Sequence, residues 1–81
     1  MHHKLKIDEP YLRAKIAGDK LFEVRLNDRG YQKGDSVEYM DYFTHLSKPI
    51  IHTYEITYVT GYMQGQNYVV FGEKHIKSEP A

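Results

Sequence analysis

The residues able to do chemistry crowd into one stretch, residues 18–35. There Lys20, Glu23, Arg25, Asn27, Asp28 and Arg29 follow one another at short spacing. Glu23 and Arg25 stand two apart, which in an extended strand puts both side chains on one face. A guanidinium forks onto phosphate or carboxylate with a geometry that an ammonium lacks. The Asn27 amide both donates and accepts, as needed to read the edge of a base. Lys20 follows a helix stop, where a cation suits the negative end of the dipole. It is also a candidate base, a task that needs burial or a neighbouring cation to depress its pKa. Arg25 and Lys6 would supply that cation, and Glu23 would oppose them. The bland alternative is a surface ion pair between Glu23 and Arg25, worth little by itself. Asp28-Arg29 is equally a turn with a local pair or a phosphate contact from Arg29.

The elements that must carry this row are short. Phe22, Val24 and Leu26 alternate with Glu23, Arg25 and Asn27, so a strand is expected with the apolar set inward and the charged set outward. Gly18 before it is expected as the left-handed residue that ends a helix, and Gly34-Asp35 after it as a structural turn. The helix begins near Asp8-Glu9-Pro10, with Asp8 as N-cap, Glu9 on the positive end of the dipole and Pro10 in the first turn. Leu12 and Ile16, with Ala14 and Ala17 nearby, form its apolar stripe. Further strands are expected over 3–7, from 36 to about 43, over 54–62, and from 68 to about 76. In the third of these, Tyr54, Ile56, Tyr58 and Thr60 share one face. Residues 44–51 and 61–67 are expected as loops, and residues 77–81 as a frayed tail. One short helix and about five strands in a chain this small favour a small β-barrel, mainly β or α+β in class. An open sheet with the helix on one face is the alternative.

Eighty-one residues make a single domain, and eight tyrosines with three phenylalanines supply bulky side chains for a small core. The absence of cysteine excludes a disulfide scaffold, thiol catalysis and a thiolate metal site. The five histidines offer no helical i, i+4 pair and no fixed carboxylate partner: His2 and His3 are terminal, His45 and His52 fall in or beside a loop, and His75 is late in a strand. No metal and no cofactor is therefore expected. No apolar run approaches the roughly 18 residues of a membrane span and no signal-peptide pattern opens the chain. A soluble, cytoplasmic protein without membrane partners is the expectation. The formal net charge is zero, yet residues 1–35 hold eight Lys or Arg against six acids and residues 36–81 three against five. So small an excess suits contact with a few phosphates, not a long duplex.

The ordered set Gly18-x-Lys20-x-x-Glu23-x-Arg25, then Gly34-Asp35, resembles the signature of the ASCH domain, a member of the PUA-like superfamily of small β-barrels. A fuller pattern is similar to a small bacterial and phage branch catalogued as a domain of unknown function. It comprises His3-x-Leu5-Lys6-Ile7, Tyr11, Phe22-Glu23-Val24-Arg25, Asn27-Asp28-Arg29, Tyr31-Gln32 and Tyr68-Val69-Val70-Phe71-Gly72. The resemblance implies a barrel plugged by the helix, with a cleft bordered by helix, motif strand and adjoining loops that binds RNA or a modified nucleoside. It brings His3 near the motif, to bond a base or orient a carboxylate, or merely to cap the first strand. It also makes Tyr11 and Tyr31 the best candidates for stacking on an unpaired base. Some small ASCH-like proteins remove an acyl group from N4-acetylcytidine with a lysine, a threonine and a glutamate. The lysine corresponds to Lys20, Glu23 stands at the threonine position, and residues 60–68 offer no equivalent of the glutamate.

Three functions follow as expectations. The first is a module binding RNA or a modified nucleotide through Lys6, Lys20, Arg25 and Arg29, with Glu23 and Asn27 reading polar edges. The second is a small amidohydrolase with Lys20 as base and Glu23 as proton shuttle. The third is a protein-interaction or regulatory domain.

Overall fold

A computed structural model describes residues 1–44 and 47–81, and the positions 45 and 46 that fall in the expected loop lie outside the described residues. The order of elements is β1 (His2–Leu5), α1 (Glu9–Ile16), β2 (Phe22–Leu26), β3 (Ser36–Asp41), β4 (Ile50–Thr60) and β5 (Tyr68–Pro80). The five strands form one sheet in the order β1-β3-β4-β5-β2, parallel between β1 and β3 and antiparallel elsewhere. The sheet curls into a half-barrel whose two edges, β1 and β2, are not paired to each other. A side chain spans the gap instead: Arg25 Nη2 donates to the Lys6 carbonyl at 2.7 Å.

The core on the concave side comprises Leu5, Leu12, Tyr31, Val37, Tyr39, Tyr54, Ile56 and Phe71. Leu12 on α1 is fully buried within it. The expected partner of Leu12 in the helix stripe, Ile16, is 43 % exposed, and Lys15 takes the inward position at 1 %. Asp8 caps α1 through its carbonyl, which accepts from Leu12 N at 3.1 Å; its carboxylate makes no cap hydrogen bond, contrary to expectation. Gly18 does end the helix in the left-handed region, at φ +85°. Its N–H reaches the Lys15 carbonyl, and Asp19 N and Lys20 N both reach that of Ala14.

Two stretches depart from the sequence pattern for a physical reason. In β4 the ladder slips at bulges between Thr53 and Tyr54 and between Ile56 and Tyr58. The extra residue turns Tyr58 outward, so it does not share the buried face of Tyr54 and Ile56. The tail expected to fray is strand: Ile50 pairs with Pro80 and Thr53 with Lys77.

A buried ion cluster at the mouth of a cleft

The largest departure lies in the motif strand. Its apolar set faces outward, with Phe22, Val24 and Leu26 about half exposed, while Glu23 is buried. The alternation of β2 is as expected, and its orientation is reversed. A buried carboxylate needs compensating charge, and the elements around β2 provide it from three directions. From α1, Lys15 Nζ approaches Glu23 Oε2 at 2.9 Å. From the turn that Gly18 begins, Lys20 Nζ reaches the same oxygen at 2.5 Å and the Phe22 carbonyl at 2.9 Å. From two residues along the strand, Arg25 Nε donates to Glu23 Oε1 at 3.0 Å.

Lys15 links this group to a second acid. Its ammonium, with a side chain fully shielded from solvent, also pairs with Glu73 of β5. It lies 4.9 Å from the centre of the Tyr39 ring and 5.5 Å from that of Tyr54. The other Glu73 oxygen accepts from the Tyr39 hydroxyl at 3.0 Å. The two carboxyls are driven apart in acidity. Burial pushes the Glu23 pKa up, but Lys20 and Lys15 outweigh it and hold the pKa below 4.5. At Glu73 burial wins over Lys15 and Tyr39, and the pKa is raised. Burial, aided by Glu73, also pushes the Tyr39 hydroxyl far up, so it is a donor at any ordinary pH. Three cations thus stand against two carboxyls, of which Glu73 is the more reluctant to ionise.

Lys20, Glu23 and Arg25 of this cluster line a cleft of about 820 Å³ between the β1 and β2 edges and the start of α1, with Lys15 and Glu73 buried behind them. Tyr11, Phe22, Tyr42 and Phe43 line it with aromatic surface, Lys4, Lys6, Lys20 and Arg25 with cations, and Asp8, Glu23 and Glu38 with carboxylates. The size is within the range of pockets for small ligands.

Of the residues singled out from sequence, Lys6, Tyr11, Lys20, Glu23 and Arg25 meet at this cleft. Arg29 lies beside it, lining a smaller hollow with Lys4, Lys6 and Arg25, its guanidinium 3.9 Å from Asp28. Three others are employed elsewhere. His3 is buried and its Nε2 meets Asp35 Oδ2 at 2.9 Å, so it orients a carboxylate outside the cleft. Tyr31, expected to be free for stacking, is 5 % exposed and packs between the His3 and Phe71 rings at 4.8 Å from each. The Asn27 side-chain oxygen accepts from Tyr31 N at 3.0 Å and shapes the turn, in place of reading a base. Gly34, at φ +92°, and Asp35 form the expected turn, and Asp35 also receives Gln32 N and the terminal amine.

Sequence reasoning missed Lys15, Glu73, Lys4, Tyr42 and Phe43. For Lys15 a signal existed: it stands three residues after Leu12, on the buried side of the helix. Glu73 likewise ends a nearly continuous apolar run.

The chain belongs to the family described as a domain of unknown function, DUF3850. The family model matches residues 2–73, from the first residue of β1 to Glu73. Every member of the ion cluster therefore lies within the DUF3850 match. No curated protein matches the chain. Among the described residues, no group of three or more His, Cys, Asp or Glu is placed to hold a metal ion, and no helix is long and apolar enough to cross a membrane.

Proposed function

We propose that this DUF3850 domain is an ASCH-like, PUA-like module that binds RNA or a modified nucleotide in the cleft above Glu23. The observation that carries the reading is the pairing of aromatic side chains with four cations, set against the carboxylates of Asp8, Glu23 and Glu38, in one cleft of about 820 Å³. A nucleobase is flat and polar at its edge. Tyr11, 55 % exposed, and Phe43, 48 % exposed, offer aromatic surface for it. Lys20 is one of two cluster members that remain partly open, its side chain 20 % exposed against 23 % for Arg25. It uses donors on Glu23 and the Phe22 carbonyl and keeps one for a carbonyl of the ligand. Lys4 and Lys6 are the cations for phosphate.

The test is fluorescence anisotropy with labelled single-stranded and hairpin RNAs at low and moderate salt. Saturable binding that weakens as salt rises, and that falls in Lys6→Glu and Tyr11→Ala, is expected. A folded protein that binds none of these RNAs at low salt contradicts the RNA form of the proposal.

One observation favours a second reading, an amidohydrolase for an acylated nucleoside. Lys20 contacts Glu23 at the cleft, which puts a candidate base and a candidate proton shuttle side by side. Turnover of N4-acetylcytidine that disappears in a folded Lys20→Ala variant distinguishes this reading from binding alone.

A further inference from the structure

The reversed orientation of β2 leaves an apolar surface on the convex side of the sheet. Residues directly opposite on neighbouring strands project to the same face, so the register defines rows. Phe22 pairs with Gly72 and Gly72 with Tyr58; Val24 pairs with Val70 and Val70 with Thr60; Leu26 pairs with Tyr68. These rows contain no charged residue. Tyr58 is 66 % exposed, and Phe22, Val24, Leu26 and Tyr68 are each about half exposed. The loop that joins β4 to β5 carries two further exposed apolar side chains, Tyr62 and Met63, at 79 % and 83 % exposure. Met63 holds a φ of 62°, a left-handed conformation uncommon for a side-chain-bearing residue.

At ~200 Å² for each large side chain, the rows offer roughly 500 Å² and, with Tyr62 and Met63, about 800 Å². The larger figure is what each partner contributes to an interface of standard size, and it exceeds the scattered apolar exposure of ordinary monomers.

We propose that this face is the interface of a homodimer, in which the β2–β5–β4 surfaces of two copies pack sheet against sheet. The absence of charge from the rows decides the occupant. An acidic or basic partner finds nothing there to pair with, whereas an uncharged face is complementary to its own copy about a two-fold axis. A single-stranded nucleic acid would use the tyrosines but needs cations along its path. The next charges along β4 and β5, Glu55 and Lys74, lie opposite each other. Lys20 lies 4.9 Å from the centre of the Phe22 ring, but its ammonium bonds Glu23 at the cleft. Phe22 and Val24 also line the cleft, so the second copy completes one side of its mouth. The proposal is independent of what the cleft binds.

The experiment is sedimentation equilibrium on the full chain over a concentration series, with Val24→Lys and Tyr58→Lys as separate variants and Glu9→Lys, exposed on α1, as control. Circular dichroism establishes that each is folded. A wild-type dimer whose dissociation constant rises roughly tenfold or more in both face variants, and not in the control, is expected. A wild-type chain still monomeric at about 500 μM overturns the proposal. A dimer indifferent to both variants also overturns it. So does a monomer that loses RNA affinity in Tyr58→Lys, which would make the face a nucleic-acid platform.

Discussion

Replacing Lys15 by methionine probes the ion cluster most sharply. Methionine is one atom shorter than lysine and keeps most of its apolar stem, while it removes the ammonium with its charge and donors. Glu23 retains Lys20 and Arg25, at 2.5 and 3.0 Å. Glu73, whose side chain is fully shielded, retains only the Tyr39 hydroxyl. Leaving a buried charge without its partner costs about 3–5 kcal/mol, against a total of about 5–15 kcal/mol for a typical domain. In a chain of this size that corresponds to a fall in Tm of roughly 15–30 °C. The loss should shrink on acidification, because Glu73 takes up a proton. The sign follows from its raised pKa: stability is fully present below the unfolded value near 4.5 and is lost as pH rises through the folded value. Adding Glu73→Gln, which keeps an acceptor for Tyr39 and removes the charge, should restore at least half of the lost stability. Urea unfolding of the wild type, both single variants and the double variant, at pH 7 and pH 5, measures the cycle. A Lys15→Met penalty below about 1 kcal/mol, or a double variant no more stable than Lys15→Met, refutes the reasoning.

Three other expectations are simpler. His52 is buried with Nδ1 on Ser78 Oγ at 2.7 Å, and its Nε2, 3.8 Å from Asp41, has no hydrogen-bond partner among the described residues. Burial lowers its pKa against the opposing pull of Asp41, so its contribution is complete above pH 6.5 and is lost as pH falls through the folded value. Urea midpoints from pH 7.5 to 5 should therefore decline in the wild type and flatten in His52→Phe. Asp35→Asn should cost about 1–3 kcal/mol at neutral pH, since it weakens contacts with His3, Gln32 N and the terminal amine. The His3 contact, aided by the terminal amine and Gln32 N, outweighs burial and lowers the Asp35 pKa, so this cost should vanish as pH falls well below 3.8, as read by thermal melts. Lys20→Met should leave the far-UV spectrum unchanged while weakening RNA or nucleotide binding by roughly tenfold, the loss of one charged hydrogen bond.

The punctuation of the fold was legible in the sequence. Gly18 and Gly34 stand at turns that need positive φ, and β2 occupies the span its alternation marked. Which way β2 faces was not legible. Period two divides a strand into two sets, and the usual assumption sends the apolar set inward. Here Lys15 and Glu73, distant in sequence, create a buried polar niche that draws Glu23 in and turns Phe22, Val24 and Leu26 out. The same blindness to long-range pairing made residues 77–81 look like a tail: their polar side chains are exposed, while the backbone pairs with β4. In the candidate site, Lys20, Glu23 and Arg25 were recognisable from spacing because their contacts are local. His3, Asn27 and Tyr31 were displaced from it by partners that only the folded chain reveals: Asp35, the turn after β2 and Phe71.

We expect the cleft above Glu23 to take a nucleotide unit of RNA. A titration of isotope-labelled protein with a short single-stranded RNA and with cytidine monophosphate, followed by amide chemical shifts, tests it most directly. The account predicts saturable shifts confined to β2 and the cleft residues Lys4, Lys6, Tyr11, Lys20, Tyr42 and Phe43. No shifts at millimolar ligand, or shifts centred on the convex face around Tyr58 and Tyr68, would contradict it.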